Sequence, residues 1–168
     1  MINIEYLRQR LDYDPSTGHL AWKHCDAMPS WWNARYAGKS AFTAPDKDGY
    51  GKGQIAGRRY FAHRIAFAIF HGHWPTETID HINGKKLDNR IINLREASRS
   101  QNQSNRPKQK NNTSGFKGVT RHRDGWMAKI KLNGKTHYVG TFKTPEEASA
   151  AYAAAAKTIH GDFARVEA

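Results

Sequence analysis

The chain has 168 residues, 38% of them hydrophobic, and a net charge of +12, so it can form one ordinary domain or two small ones around a core. No segment approaches the roughly 18 uninterrupted apolar residues of a membrane span, and the N-terminus becomes polar within a few residues, which predicts a cytoplasmic protein without a secretory signal. Cys25 is the single cysteine, which excludes an internal disulfide and a zinc site built on paired cysteines.

The positive charge is concentrated in one segment of the chain. Between His81 and Lys143 there are 15 Lys and Arg against 3 Asp and Glu, whereas the remainder has 12 of each. A solvated charged surface is the alternative, but this distribution favours a surface that follows a polyanion. Binding to a membrane surface is disfavoured because the segment contains no long amphipathic helix.

Several short elements are predicted before residue 75. They are a helix over Ile2–Leu11, a turn at DPSTG, a strand at HLAWK, a strand before Gly57, and a helix over AHRIAFAIFHG that ends at Gly72. The adjacent Trp31 and Trp32 either pack in the core or contact a nucleic-acid backbone, and packing is favoured.

A polar, basic segment at residues 103–114, QSNRPKQKNNTS, has no apolar periodicity and indicates a linker. We therefore predict an α+β protein with a first domain at 1–105, a basic linker at 106–114 and a second domain at 115–168.

The second domain has two clear local signals. Thr144, Pro145 and Glu147 form a capping-box pattern that begins a helix ending at Gly161. Asn133-Gly134 between two alternating segments predicts a two-residue hairpin turn. That turn pairs Leu132 with Lys135, Lys131 with Thr136 and Lys129 with Tyr138. With FKGVTRHR as a third strand, we expect a three-stranded antiparallel sheet that packs one surface on the helix, through Ala128, Ile130 and Val139, and exposes a basic, aromatic one.

This C-terminal segment resembles the AP2 DNA-binding domain through FKGVTRHR, YVGTF and TPEEASAAYAAAAKTIHGDFA. The resemblance implies that the sheet enters the major groove of DNA. The matching contact positions are Lys117, Thr120, His122, Lys129, Lys131, Thr136 and Tyr138, with Arg121 and Arg123 as further candidates. Thr120, His122 and Thr136 replace family arginines, and the RHRDGW turn is shorter, so sequence preference is not transferred.

Asp80 and His81 could supply a metal ligand and a base for phosphodiester cleavage. Neighbouring residues on a strand point to opposite sides, so the pair alone is weak evidence. The asparagines that follow are also ordinary turn formers, and we assign Asn83, and mostly Asn89, to turn chemistry.

The whole stretch IDHINGKKLDNRIINLREASRSQNQSN resembles the HNH endonuclease family, in its homing branch. That resemblance implies a ββα-metal motif at about 77–105, with His81 as general base, Asn93 as the residue that orients its imidazole, and Asp80 and Asn102 as ligands. An all-oxygen pair favours one Mg²⁺ or Mn²⁺ ion. Arg64, Arg90 and Arg95 are expected to contact DNA phosphates or the leaving group, although an exposed basic surface also explains them. His63 either contacts DNA or packs.

The prediction is a metal-dependent endonuclease that cuts double-stranded DNA, encoded by a phage-type mobile element and working in a bacterial host. One site per chain cuts one strand, so a double-strand break requires a dimer or sequential binding. One alternative is a non-catalytic, sequence-specific DNA-binding protein such as an AP2-type transcription factor, which would not need the Asp80, His81, Asn93 and Asn102 set. The other is an RNA-binding protein or RNase, which a sheet shaped for the major groove disfavours.

Overall fold

The computed structural model describes residues 2–166 as two compact units, Met1–Glu96 and Ala97–Ala168. Residues 1, 167 and 168, which the predicted domains include, lie outside the described residues. The sequence predicts that the first domain ends at residue 105, whereas the first compact unit ends nine residues earlier, at Glu96.

The first unit begins with a helix and a hairpin. Helix α1 (Ile4–Arg10) starts after Asn3, whose side chain accepts a hydrogen bond from the Glu5 N–H. Strands β1 (Leu11–Asp14) and β2 (His19–Trp22) then pair antiparallel, around the predicted DPSTG turn. The predicted helix ends before Leu11 because that residue already has extended backbone geometry.

A second set of elements follows: α2 (Ser30–Tyr36), β3 (Ala44–Pro45), β4 (Gly51–Ile55), β5 (Arg58–Phe61) and α3 (Ala62–His71). The three strands form a sheet in the order β3-β4-β5. Helix α3 ends as predicted at Gly72, whose left-handed backbone (φ 77°) suits a residue without Cβ.

The core of the first unit is made by α1, the first hairpin and α3. Its buried side chains are Leu7, Leu11, Leu20, Ala41, Phe42, Ile55, Ala62, Ile65 and Ala68. A smaller cluster of Ala66, Phe67, Ile79 and Leu94 packs α3 against the strand that contains the Asp-His pair and against the strand paired with it. Helix α3 therefore supports these strands directly, which fixes their position by packing.

Three elements cover the stretch where the sequence predicts a ββα motif, and the last of them belongs to the second unit. They are β6 (Thr78–His81), β7 (Leu94–Ala97), which pairs with it in a two-stranded sheet, and the short helix α4 (Arg99–Ser104). Helix α4 begins with a capping box between Ser98 and Gln101. The loop between β6 and β7 contains a short 3₁₀ turn, Ile91–Asn93.

The second unit contains the predicted sheet and helix. Strands β8 (Val119–His122), β9 (Gly125–Leu132) and β10 (Lys135–Phe142) form an antiparallel sheet, and α5 (Pro145–His160) packs on it. The predicted hairpin register and the Thr144–Glu147 capping box are both confirmed. The core contains Val119, Ala128, Ile130, Ala148, Tyr152 and Ala156, with Val139 packed beside them. The likeness to the AP2 domain stays a prediction.

Gly118 shows why a small residue is needed where the chain enters the sheet. A Cβ at this position would overlap the Tyr152 ring, and the backbone has φ 73°. Both the close approach to Tyr152 and the left-handed conformation therefore require glycine.

None of the helices within residues 2–166 is long and apolar enough to cross a membrane.

Candidate functional site

The Asp-His pair lies at the buried end of β6. Asp80 and His81 are each 4% exposed, and Ile79 before them belongs to the α3 cluster. As expected for adjacent residues of a strand, the two side chains lie in different environments. Asp80 contacts β7, whereas His81 contacts the loop between β6 and β7 and an aromatic cluster. Two polar side chains are thus buried side by side, which is costly unless each has partners.

Asp80 is paired with Arg95 across the two-stranded sheet. The Arg95 Nε and Nη2 atoms lie 2.9 and 2.8 Å from Asp80 Oδ2. A guanidinium that directs two nitrogens at one carboxylate oxygen compensates the buried negative charge and fixes the carboxylate orientation. Arg95 was predicted to contact DNA phosphates; here its guanidinium holds Asp80.

His81 has an amide as a hydrogen-bonding partner. Its Nε2 lies 3.3 Å from Asn89 Oδ1, and a carbonyl oxygen accepts, so Nε2 carries the proton in this pair. Burial lowers the pKa of His81, while the bond to Asn89 and the charge of Asp80 act in the opposite direction. The lowered pKa keeps the imidazole neutral at neutral pH.

Asn93 was predicted to bond the His81 imidazole, but in the structure its side chain bonds backbone groups of the loop instead. Asn93 Oδ1 accepts from the Asn83 N–H at 3.0 Å, and its Nδ2 donates to the Asp88 carbonyl at 2.8 Å. A buried amide satisfies two backbone groups of the loop in this way, because such groups cannot be left unpaired. Asn93 therefore holds the loop, and the bond to the ring comes from Asn89.

Asn83 has the turn role that the sequence predicted. Its Oδ1 accepts from the Lys85 N–H at 2.8 Å, and its Nδ2 donates to Asp88 Oδ2 at 2.7 Å. Asp88 also binds Arg90 through Nε and Nη2, and in this pair the Arg90 side chain is 47% exposed whereas the Asp88 side chain is 16% exposed. The Arg90 hydrogen bonds and the bond from Asn83 lower the pKa of Asp88.

His63, on the first turn of α3, packs directly against the His81 ring. The two ring centroids are 5.2 Å apart in an edge-to-face arrangement, and Phe61 stacks on the other side of His63 at 5.4 Å. Burial, followed by the charges of His81 and Arg64, lowers the pKa of His63 to about 3. Its Nδ1 is buried and has no hydrogen-bonding partner. His63 packs against these rings, and a contact between His63 and DNA stays a prediction.

Tyr50 completes the aromatic cluster. Its ring lies 5.2 Å from His63 and 5.8 Å from His81, and the Lys86 ammonium lies 4.9 Å above it. Tyr50 and Asn89 are the two neighbours of His81 that sequence reasoning did not assign to the site. Tyr50 stands in a Gly-rich turn 31 residues before His81, where no local pattern indicates such a contact.

Arg64 was also predicted to meet DNA. Its Nη1 and Nη2 donate to the carbonyls of Glu77 and Pro75 at 3.0 and 3.1 Å. The guanidinium thus ties α3 to the segment that leads into β6, so its observed contacts are structural.

Asn102 lies on α4, half-buried, with its backbone N–H bonded to the Ser98 carbonyl. Helix α4 is grouped with the second unit, where Ser104 contacts His160 and Ser100 contacts the Asn133 N–H. Across residues 2–166, no three His, Cys, Asp or Glu side chains are close enough to hold a metal ion. A metal site here would therefore depend on amide oxygens as well as carboxylates.

In the second unit, the predicted DNA-contacting residues are exposed to solvent, with one exception. The exposed residues are Thr120, Arg121, His122, Arg123, Lys129, Lys131, Thr136 and Tyr138. Arg121 lies 5.3 Å above the Trp126 ring, and the Tyr138 hydroxyl bonds Thr141.

Lys117 is the exception. Its Nζ donates to the carbonyls of Ser104 and Arg165, and burial together with the charge of Arg165 lowers its pKa to about 8. Its ammonium is thus engaged inside the second unit.

Comparisons with known proteins relate the chain to HNH endonucleases. A model of the HNH endonuclease family matches residues 60–104. The chain is 33% identical over 132 residues to "Uncharacterized HNH endonuclease L560" of Acanthamoeba polyphaga mimivirus, a match that covers 77% of this chain and 64% of that relative. It is 35% identical over 89 residues to "Protein 3.8" of Escherichia phage T7, covering 52% of this chain and 73% of that protein. No solved structure matches the chain.

Proposed function

Because residues 60–104 match the HNH endonuclease family, we propose that the chain is a metal-dependent endonuclease of the homing type that hydrolyses phosphodiester bonds in double-stranded DNA. The observation that carries the proposal is the buried, neutral imidazole of His81 next to the buried Asp80–Arg95 pair. A neutral imidazole beside a fixed carboxylate is what water activation at a phosphodiester requires.

His81 is the general base. With Nε2–H directed at Asn89, the lone pair of the neutral ring resides on Nδ1, the nitrogen that accepts the proton from the attacking water. Asn89 holds the ring orientation, and the His63 and Tyr50 rings limit its rotation. Asn93 acts indirectly, by holding the loop that carries Asn89.

Asp80 is the residue of the first unit that would hold one Mg²⁺ or Mn²⁺ ion, and Asn102 stays the sequence-based prediction for a second ligand. The donor chemistry fits: both are hard oxygens, and together they have one negative charge, which suits a divalent ion completed by water and phosphate. Arg95 orients the carboxylate for this role through Oδ2. When bound, the ion would stabilise the negative charge that develops on the phosphate and the leaving oxygen.

The second unit would supply affinity and sequence recognition. The sheet exposes Lys129, Lys131 and Tyr138 on one surface while Ala128 and Ile130 are buried on the other. That arrangement favours an AP2-like mode, in which lysines contact phosphates and the remaining side chains reach base edges in the major groove.

A plasmid-cleavage assay tests the proposal. Supercoiled DNA should be nicked with Mg²⁺ or Mn²⁺ and remain intact with chelator, and His81→Ala should lower the rate by about 100-fold or more with duplex binding nearly unchanged. His24→Ala, at an exposed histidine of the same unit, is the matched control and should cleave normally. Wild-type cleavage by His81→Ala would refute the assignment.

A further inference from the structure

The first unit contains a second aromatic cluster, far in sequence from β6, around the buried guanidinium of Arg10. Arg10 is 5% exposed, and its guanidinium carbon lies 4.6 Å from the Trp32 ring centroid and 5.9 Å from those of Tyr6 and Trp22. Cation–π contacts stabilise a desolvated arginine, but a buried cation ordinarily also has a carboxylate partner.

The hydrogen bonds of Arg10 do not satisfy this guanidinium. Nη1 donates to the Tyr6 hydroxyl at 3.0 Å, whereas Nε is buried and has no partner. Within residues 2–166, no acidic side chain forms an ion pair with Arg10. An unpaired donor on a buried cation is costly for a purely structural residue. Because Nε itself is covered by protein, a ligand would meet Arg10 where this residue lines the adjoining cavity.

A cavity of about 530 Å³ opens beside this side chain. Arg10 lines it together with Tyr6, Trp22, Trp31, Trp32 and Tyr36. The size is that of a small-molecule pocket, and none of its described lining residues is acidic. Flat aromatic walls around a positive donor are complementary to a flat ring with acceptor atoms.

Trp31 is the aromatic lining residue whose ring is exposed enough to stack on a ligand. Its side chain is 63% exposed, whereas Trp32 is held between Trp22 at 5.4 Å and Tyr36 at 5.2 Å. An exposed indole beside a cavity that the rest of α2 helps to form is poorly explained by packing. It is well explained as a stacking platform, because every base has a π-surface for an aromatic side chain.

We propose that this cavity binds an unpaired nucleobase, stacked on Trp31 and hydrogen-bonded by the Arg10 guanidinium. The inference rests on the proposed function for the source of the base, which is DNA bound by this chain. Extruding a base from a duplex costs a few kcal/mol, least where pairing is already broken. The cavity therefore favours DNA that is locally open, and it is separate from the residues that surround His81.

The test uses the full chain with chelator, so that nothing is cut, and two fluorescent duplexes. One contains a single bulged guanine and the other has an abasic residue at the same bulge. Anisotropy titrations should show the wild-type chain binding the bulged base about fivefold or more tightly than the abasic bulge. Trp31→Ala should reduce that preference below about twofold, and Trp31→Phe should retain most of it because an aromatic surface remains.

Phe70→Ala is the matched control, an exposed aromatic of the same unit that does not line the cavity, and it should keep the wild-type preference. A second readout places 5-iododeoxyuridine at the bulge and maps the photo-crosslink by mass spectrometry. An adduct on Trp31 or another lining aromatic supports the proposal. Adducts confined to the second unit, or equal preference in Trp31→Ala and Phe70→Ala, overturn it.

Failure of this proposal is distinguishable from failure of the proposed function. A chain that cuts plasmid with Mg²⁺ but does not distinguish the two bulges retains its nuclease assignment and refutes the base pocket. A chain that prefers the bulged base but never cuts DNA refutes the nuclease assignment and retains the pocket.

Discussion

The two units of the chain place their polar side chains in opposite ways. In the first unit, Asp80, His81, Asn89 and Asn93 are buried and bonded to named partners. In the second unit, the lysines and arginines of the sheet lie on an exposed surface. Burial costs desolvation, and exposure to water and salt screens charge, so the two arrangements suit different tasks.

Under the proposed function, this difference would separate chemistry from affinity. A buried imidazole with a lowered pKa and a fixed tautomer is prepared for one proton transfer, whereas exposed cations bind a polyanion with little geometric demand. If this separation is right, changes in the buried cluster should alter stability and rate, and changes on the sheet should alter binding and its dependence on salt.

The largest effect is expected from removing the partner of Asp80. Arg95→Ala leaves a carboxylate that is 4% exposed without its guanidinium, and breaking a buried pair from one side costs about 3 kcal/mol or more. Urea denaturation followed by tryptophan fluorescence measures the free energy of unfolding of the first unit, which contains four of the five tryptophans. Arg90→Ala is the control and should lose less, because Arg90 is 47% exposed and Asp88 keeps its hydrogen bond from Asn83. Equal losses in the two variants would contradict the contrast between buried and exposed charge.

The next effect is a loss of stability in mild acid that depends on His63. The pKa of His63 is about 3 in the folded chain and 6.5 when unperturbed, because burial, His81 and Arg64 lower it while Asp46 raises it slightly. Between those values the unfolded chain binds a proton that the folded chain does not, so stability falls as pH falls below about 6.5. From pH 7 to pH 5 this one group accounts for about 2 kcal/mol of lost stability.

His63→Phe removes that contribution and should flatten the stability profile between pH 7 and pH 5, leaving the smaller loss due to His81, whose pKa is shifted in the same direction. His24→Phe, at an exposed histidine, should keep the wild-type profile. If His63→Phe loses as much stability on acidification as the wild-type chain, the buried neutral histidine is not the cause.

Local patterns predicted most of the fold. The Asn133-Gly134 turn fixes the hairpin register because a two-residue loop permits one pairing, and the Thr144–Glu147 capping box places the start of α5. Leu11 was assigned to the first helix, since an apolar residue at helical spacing gives no sign that the backbone has already become extended.

The candidate site was harder to predict because its contacts are long-range. The pair Asp80 and His81 stands out in the sequence, but nothing local indicates that Arg95 would bind Asp80 or that Tyr50 and His63 would surround His81. The choice between Asn89 and Asn93 depended on the path of the loop. Two asparagines four residues apart offer identical groups, and only tertiary structure decides which one reaches the ring.

On the exposed surface, a double charge reversal should act on binding alone. Lys129→Glu with Lys131→Glu should lower duplex affinity about tenfold or more and reduce the slope of log K against log salt by about 2, because two phosphate contacts are lost. Anisotropy titrations at several salt concentrations give the slope, while the single-turnover cleavage rate at saturating protein should be unchanged. Lys39→Glu with Lys47→Glu, two exposed lysines of the first unit, is the matched control. A change in the single-turnover rate without a change in slope would reverse the assignment of tasks.

The smallest effect is expected at Asn89, whose one hydrogen bond would orient the imidazole of His81, the proposed general base. Asn89→Ala removes the acceptor 3.3 Å from His81 Nε2 but keeps the backbone carbonyl that binds the Tyr13 hydroxyl at 2.7 Å, so the loop should remain in place. A bond of this kind contributes about 0.5–1.5 kcal/mol, which corresponds to a cleavage rate lower by about 2- to 12-fold. Single-turnover kinetics on plasmid DNA measure the rate, and Asn111→Ala, at an exposed asparagine of the second unit, is the control.

Asn93→Ala should differ from Asn89→Ala by lowering stability as well as rate, because it leaves the Asn83 N–H and the Asp88 carbonyl without their partner. If Asn89→Ala cleaves at the wild-type rate while Asn93→Ala retains full stability and loses activity, then Asn93 rather than Asn89 orients His81 during the reaction.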